Sequence, residues 1–215
     1  MGTRSNNILK GVFMKFDKRH WFLGFFVLFG LYFLVKLLGP YFYIVQTNHF
    51  ITPLFRFNKP IKMTILKQNG VIETLDTPKN IDFENNFYIK TINFPQGMEL
   101  SHKNFGKLGF SGNFFINFNT KVYVKKDGYY VFEIISDDGF RLKLNNEIAG
   151  ELTSNRPFSS SEVFVHLKKG TYNLELEYFQ GYGPCGVVVY YRHSDGKKKY
   201  LLGKNSKYFS FKNPY

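Results

Sequence analysis

Tyr130-Val131-Phe132-Glu133-Ile134-Ile135-Ser136-Asp137-Asp138-Gly139-Phe140-Arg141-Leu142-Lys143-Leu144 decides how this chain is read. Tyr130, Phe132 and Ile134 fall on one face of the first run and Glu133 on the other, the period-two pattern of a half-buried strand. The second run alternates in the same way, and Ser-Asp-Asp-Gly separates the two. Working outward, Asn145-Asn146 turns the chain from Arg141–Leu144 into residues 147–152. Val163-Phe164-Val165-His166-Leu167 reads as a strand. So does Tyr172 to Tyr178, with Tyr172, Leu174, Leu176 and Tyr178 inward and Glu175 and Glu177 outward. Residues 187–192 follow, and Ser194-Asp195-Gly196 turns them into residues 200–202.

Upstream, Lys121–Val124 leads through Lys125-Lys126-Asp127-Gly128 into the deciding strand, and Phe114–Phe118 precedes it. Residues 98–112 carry three glycines and read as a loop. Residues 83–94 read as one strand, closed by Pro95-Gln96-Gly97. Residues 61–75 alternate around Gln68-Asn69-Gly70, where Asn-Gly between apolar runs predicts a hairpin. Short strands with turns between them and almost no helical period indicate an antiparallel sandwich or barrel.

Composition supplies the mass for its core. Phe numbers 26 and Tyr 15 in 215 residues, enough apolar volume to close without crosslinks. The lone Cys185 excludes an intrachain disulfide. Residues 21–38, WFLGFFVLFGLYFLVKLL, carry one charge, Lys36, near the end. That length meets the lower limit for a membrane span. Arg4, Lys10, Lys15, Lys18 and Arg19 precede it, and no Lys or Arg follows until Arg56. The positive-inside bias then places the N-terminus in the cytoplasm and the remainder outside. No small-x-small site follows the apolar run, so the segment reads as an uncleaved anchor. The expected organisation is a basic cytoplasmic tail (1–20), a transmembrane helix (21–39), a juxtamembrane linker (40–60) and a β domain (61–215). The absence of disulfides and of N-x-Ser/Thr sites favours a bacterial inner membrane with the domain in the periplasm.

Several segments in order carry a family resemblance. They are SDDG between two strands, Arg156 after them, Leu167-Lys168-Lys169-Gly170-Thr171-Tyr172, Leu174-Glu175-Leu176-Glu177-Tyr178-Phe179-Gln180-Gly181, and then a valine-rich strand. Together they resemble the PA14 family, a β-rich module found in adhesins, glycosidases and envelope proteins. The resemblance is strong over residues 122–191 and faint over 61–120. It implies an all-β, PA14-like antiparallel sandwich or barrel, here preceded by a single N-terminal transmembrane helix.

The same resemblance suggests a site. On an extended strand adjacent side chains face opposite ways, so neighbouring aspartates reach one cation only if the peptide between them is not trans. In the adhesin branch of the family this pair is joined by a cis peptide and holds calcium, with sugar hydroxyls completing the shell. Carried over, Asp137 and Asp138 would be the metal ligands and Gly139 would free the loop's backbone. Sugar-binding members place an asparagine in the loop after the "LELEY" strand, where this chain has Phe179-Gln180-Gly181-Tyr182-Gly183-Pro184-Cys185-Gly186. Gln180 would then offer the amide oxygen, Gly181 or Tyr182 a carbonyl, and Arg156 would face the same loops. The residues alone also fit a tight turn whose aspartates accept backbone N–H bonds.

Catalysis is not expected. His20, His49, His102, His166 and His193 lack metal-ligand spacing, Cys185 has no partner cysteine, and adjacent aspartates do not flank a scissile bond as a glycosidase pair does. The expected function is a membrane-anchored, periplasmic, calcium-assisted binding module for glycan or envelope polymer. The alternative is a non-catalytic structural subunit of an envelope machine for secretion, motility or transport, working through contacts with other envelope proteins. The lysine-rich C-terminal end suits anionic lipid headgroups, acidic glycans or an acidic protein, and nucleic acid is not an expected partner outside the membrane.

Overall fold

The computed structural model describes Phe29 and residues 59–212. The chain divides into two compact units, residues 1–49 and 50–215, and the second is described below. The expected tail (1–20), the span (21–39) apart from Phe29, and all of the linker before Lys59 lie outside the described residues. Among those described, no helix is long and apolar enough to cross a membrane.

Every regular element over residues 59–212 is a strand. In chain order these are β1 (Ile61–Gln68), β2 (Ile81–Ile89), β3 (Asn93–Gly97), β4 (Ser101–His102), β5 (Gly106–Lys107), β6 (Phe114–Val124) and β7 (Gly128–Asp137). Then come β8 (Phe140–Leu144), β9 (Glu147–Leu152), β10 (Ser159–Leu167), β11 (Gly170–Gln180), β12 (Cys185–His193), β13 (Tyr200–Leu201) and β14 (Phe209–Lys212). One sheet runs β2-β1-β6-β11-β8-β9, with β14 beside the last residues of β6. The other runs β10-β7-β12-β13, with β3 beside β12, and β4 pairs with β5. All named pairs are antiparallel.

The period-two faces of the sequence become the two inner faces of this sandwich. Ile116, Phe118, Val122 and Val124 of β6 and Leu174, Leu176 and Tyr178 of β11 oppose Tyr130, Phe132 and Ile134 of β7 and Val187, Val189 and Tyr191 of β12, all buried. Leu100, Leu202 and Tyr208, from the connections between strands, fill out the same core. Thr120 is the polar exception on the inner face of β6, and its hydroxyl donates to the Pro60 carbonyl at 2.9 Å.

Three expectations about the first half need correction. No hairpin forms at Asn69-Gly70, because the return strand β2 begins only at Ile81. Instead Ile72 and Leu75 fold over the outer face of the larger sheet and bury Leu66, Phe115 and Phe179 with them. Gln68 closes that excursion, donating to Pro78 O (3.0 Å) and accepting from Asn80 N (2.9 Å). Residues 83–94 are not one strand but parts of β2 and β3, which belong to different sheets. The expected loop 98–112 contains the short β4–β5 pair. The Asn145-Asn146 turn stands as read, both residues having positive φ (51° and 70°), the geometry of a two-residue hairpin loop.

The deciding motif also has a different connectivity from a hairpin. β7 and β8 lie in opposite sheets, so Asp138-Gly139 is a crossing between them. Residues 181–184 make the second such crossing, from β11 to β12. Both occur at the same pole of the sandwich, where Asp137 pairs with Gly186 and Phe114 with Gln180.

Candidate functional site

At this pole the peptide between Asp137 and Asp138 is cis. The loop is held from both sides. The Ser136 hydroxyl donates to Asp138 O at 2.6 Å. Tyr178, buried on β11, donates its hydroxyl to Asp137 O and accepts from Gly186 N at 3.2 Å. Backbone bonds from Asp138 N to Phe179 O (3.3 Å) and from Phe179 N to Gly139 O (3.2 Å) tie the two crossings together.

Gly139 is needed for space and not for backbone freedom, which revises its expected role. Its φ is not in the left-handed region, but a Cβ there would stand 2.3 Å from Leu152 O and 2.7 Å from Phe179 Cε1.

Both aspartates are buried, 6% and 5% exposed, and among the described residues neither forms an ion pair. Asp138 accepts from Gly181 N (2.9 Å) at one oxygen and Arg156 N (3.2 Å) at the other. Asp137 accepts from the Gln96 amide at 3.1 Å. Burial raises both carboxyls above the ordinary aspartate range. For Asp137 the Gln96 bond, the Phe158 backbone, Gln180 and the Arg156 charge offset part of that rise. For Asp138 the Gly181 and Arg156 N–H groups do the same, and the neighbouring Asp137 charge adds to the rise. The pair buries two acidic groups whose ionised forms have no cation in direct contact, the Arg156 charge acting on Asp137 without pairing with it.

The other expected residues converge here with altered parts. Gln180 does not extend an amide oxygen outward: it is fully buried, accepts from Tyr178 Oη at 2.8 Å, and donates to Tyr182 O and Pro184 O at 3.2 and 2.9 Å. It is the strut that shapes residues 181–184. Arg156 lies behind the aspartates, its side chain donating to Ser161 Oγ (2.7 Å) and Ser136 Oγ (2.8 Å) and lying over the Phe140 ring at 5.4 Å. Burial lowers its pKa, with the Asp137 charge opposing. Gly181 O accepts from Asn113 N at 2.8 Å. Tyr182 stands 66% exposed at the rim.

Asn155 is a residue the sequence reading missed. Its amide oxygen comes within 3.9 Å of the point where a Gly181 Cβ would stand, and Asp138 Oδ2 within 3.5 Å of that point. The sequence places the expected amide in the loop after β11. Here it comes from the β9–β10 connection, next to Arg156, and only the fold brings the two together. The donors gathered are all oxygens, the set that suits a hard cation such as calcium. Among the described residues no group of three His, Cys, Asp or Glu forms, so further ligands would be amide or carbonyl oxygens. Cys185 offers no nucleophile, being buried with its thiol pushed up to about 11 by that burial.

A groove of about 590 Å³ adjoins the site, lined by Gly97, Met98, Glu99, Ser101, Lys107 and Ser111 among others. Two of its lining residues are chain neighbours of residues that touch the site. Gln96 beside Gly97 bonds Asp137, and Gly112 beside Ser111 packs on Gly181 O, which a Cβ would approach to 2.7 Å.

Comparison with known proteins follows from this geometry. The PA14 domain model matches residues 68–201. No curated protein sequence matches the chain. Among solved structures, the PA14 domain of the MpAFP antifreeze protein is 12% identical with a TM-score of 0.54, over 67% of this chain and 87% of that one. The PA14 sugar-binding domain from an RTX adhesin is 14% identical with a TM-score of 0.53, over 67% and 94%. The epithelial adhesin 9 A domain (Epa9A) from Candida glabrata, in complex with Galβ1-3GlcNAc, is 11% identical with a TM-score of 0.53, over 72% and 90%. At these identities the likeness is one of fold.

Proposed function

The chain belongs to the PA14 domain family, and from that premise we propose that it is a non-catalytic binding module taking glycan at the Asp137–Asp138 pole with the help of calcium. The observation that carries the reading is the buried pair of adjacent carboxylates, raised by burial and without an ion pair. A divalent cation would supply the missing charge, with Asp137, Asp138 and Asn155 as its side-chain ligands. Calcium held there would supply a hard Lewis-acid centre toward which sugar hydroxyls could turn their oxygens. Similar folds lend support: one is titled a sugar-binding domain and another a complex with Galβ1-3GlcNAc.

Around the pair, Tyr182 is placed to present a ring to a sugar face. The adjoining groove, with hydroxyls at Ser101 and Ser111 and charges at Glu99 and Lys107, would receive the next sugar unit. Membrane anchoring by residues 21–39 and a periplasmic position for the domain complete the proposal and rest on the sequence alone. A glycan of the envelope would then be the ligand within reach.

Calorimetric titration of residues 50–215 with calcium tests this first. Micromolar binding, abolished in Asp138→Ala and weakened in Asn155→Ala, is the expected result, followed by calcium-dependent signals on a glycan array. Absence of heat, with no calcium-dependent rise in Tm, would sink the metal-assisted mechanism. It would move attention to the envelope-subunit reading, to be pursued by crosslinking in the native membrane.

A further inference from the structure

The pole opposite the aspartates is built from four connections that are rich in lysine. The β6–β7 turn supplies Lys125 and Lys126, the β10–β11 turn Lys168 and Lys169, the β12–β13 loop Lys197 and Lys198, and the β13–β14 loop Lys204 and Lys207; Lys199 instead reaches Glu133 along β7 at 2.6 Å. All of these side chains are exposed. Register places the connections together, since Val124 pairs with Gly170 and with Phe209, and Leu167 with Gly128. The eleven residues of β6 separate this pole from the aspartate pole, about 34 Å at strand rise.

The acidic residues in the same loops do not cancel the charge. Asp127 accepts from Lys169 N at 2.6 Å, and Asp195 pairs with Lys126 at 3.1 Å. Among the described residues Lys168, Lys169, Lys197 and Lys204 form no ion pair. Two residues before Lys168, His166 pairs across the β7–β10 ladder with Tyr129, which is 62% exposed and packed edge-on against it. A tyrosine left largely in solvent among lysines is the pattern of a surface meeting lipid headgroups, where the ring lies at the interface and ammonium groups reach phosphates.

We propose that this lysine pole is a contact surface for an anionic phospholipid bilayer, lying on the membrane while the aspartate pole points away from it. A lipid surface suits the pole better than a compact acidic ligand. The charges are spread over four loop tips, as a broad array of phosphates requires. The chain also enters the domain in that half of β6, with Pro60 O bonded to Thr120 next to Lys121, and the preceding sequence holds the apolar segment 21–38. The inference does not depend on calcium or sugar.

The test is co-sedimentation of residues 50–215, one compact unit, with vesicles of phosphatidylcholine alone or mixed equally with phosphatidylglycerol. Binding is expected only on the mixed vesicles and is lost at high salt. Each lysine removed should weaken it about five-fold. The variant Lys168→Gln/Lys169→Gln/Lys197→Gln/Lys198→Gln should therefore fall by more than about 100-fold with its melting transition unchanged. Lys79→Gln, at the other pole, should bind as the parent does. Equal binding to both vesicle types, or undiminished binding by the four-lysine variant, overturns the proposal. Binding to heparin with none to the mixed vesicles overturns it in favour of an acidic glycan.

Discussion

Arg156 shows how a side chain read as a ligand contact can be a strut. Its guanidinium spans Ser136 and Ser161 while its own backbone N–H holds Asp138, so one residue fixes the loop from beneath and from the side. A lysine cannot reproduce that fork. Arg156→Ala is expected to cost about 2–3 kcal/mol in urea unfolding, and Arg156→Lys to recover little of it. A large loss of ligand affinity in Arg156→Lys at unchanged stability would return Arg156 to the ligand side. Gly139 makes a stricter demand. A methyl there meets two backbone carbonyls, Leu152 O at 2.3 Å and Ser154 O at 3.0 Å, and these belong to the segment that carries Asn155. Gly139→Ala should lower stability by about 2–3 kcal/mol, read as a reduced urea midpoint with unchanged slope.

Among the elements, β14 contributes more than its four residues suggest. Phe209 stacks on Tyr191 (4.5 Å between centroids) and on Tyr130 (4.7 Å), joining the core faces of β12 and β7 from a strand that pairs only with the last residues of β6. Phe209→Ala should cost about 3–5 kcal/mol, measured by thermal or urea unfolding; a loss under 1 kcal/mol would mean that the strand is an appendage. This strand also marks what the sequence could show. Where apolar residues alternate along one uninterrupted run, as in β7, β8 and β11, the sequence shows the strand and its inward face, although the partners of β7 are the distant β10 and β12. The reading failed at Ile72 and Leu75, whose apolar side chains cap the outer face of a sheet and do not extend a ladder. It also failed to see that β2 and β3 part into different sheets, because alternation reports a face and not a partner. The site divides in the same way. Asp137-Asp138 is a contiguous signal and was legible. Asn155 reaches the pair only through the β9–β10 connection, and Gln180 was misplaced because strand parity alone did not reveal that Tyr178 holds its amide inside.

For the whole domain, the aspartate pair couples stability to pH in a direction opposite to that of a paired carboxylate. Burial raises both carboxyls in the folded state above the ordinary value of 3.8. The folded protein therefore keeps protons over a range in which the unfolded chain has released them. Stability from these groups is fully present below the unfolded value and is lost as pH rises through the folded one. In chelator, Tm should decline from about pH 4 upward, less the contributions of other groups. Subtracting the same profile for Asp137→Asn/Asp138→Asn removes those contributions and leaves the pair's own slope. Calcium at neutral pH should then raise the parent's Tm and leave the double variant where it was, since a cation holding the ionised pair offsets the cost of burying it. A parent and a double variant with parallel profiles would mean that the pair is protonated or solvated across the whole range. The tight-turn reading of SDDG would then account for it without a metal. A parent that shows the slope but no calcium response would keep the electrostatic argument and remove the cation from it. The two measurements thus separate the charge that the fold buries from the ion proposed to neutralise it.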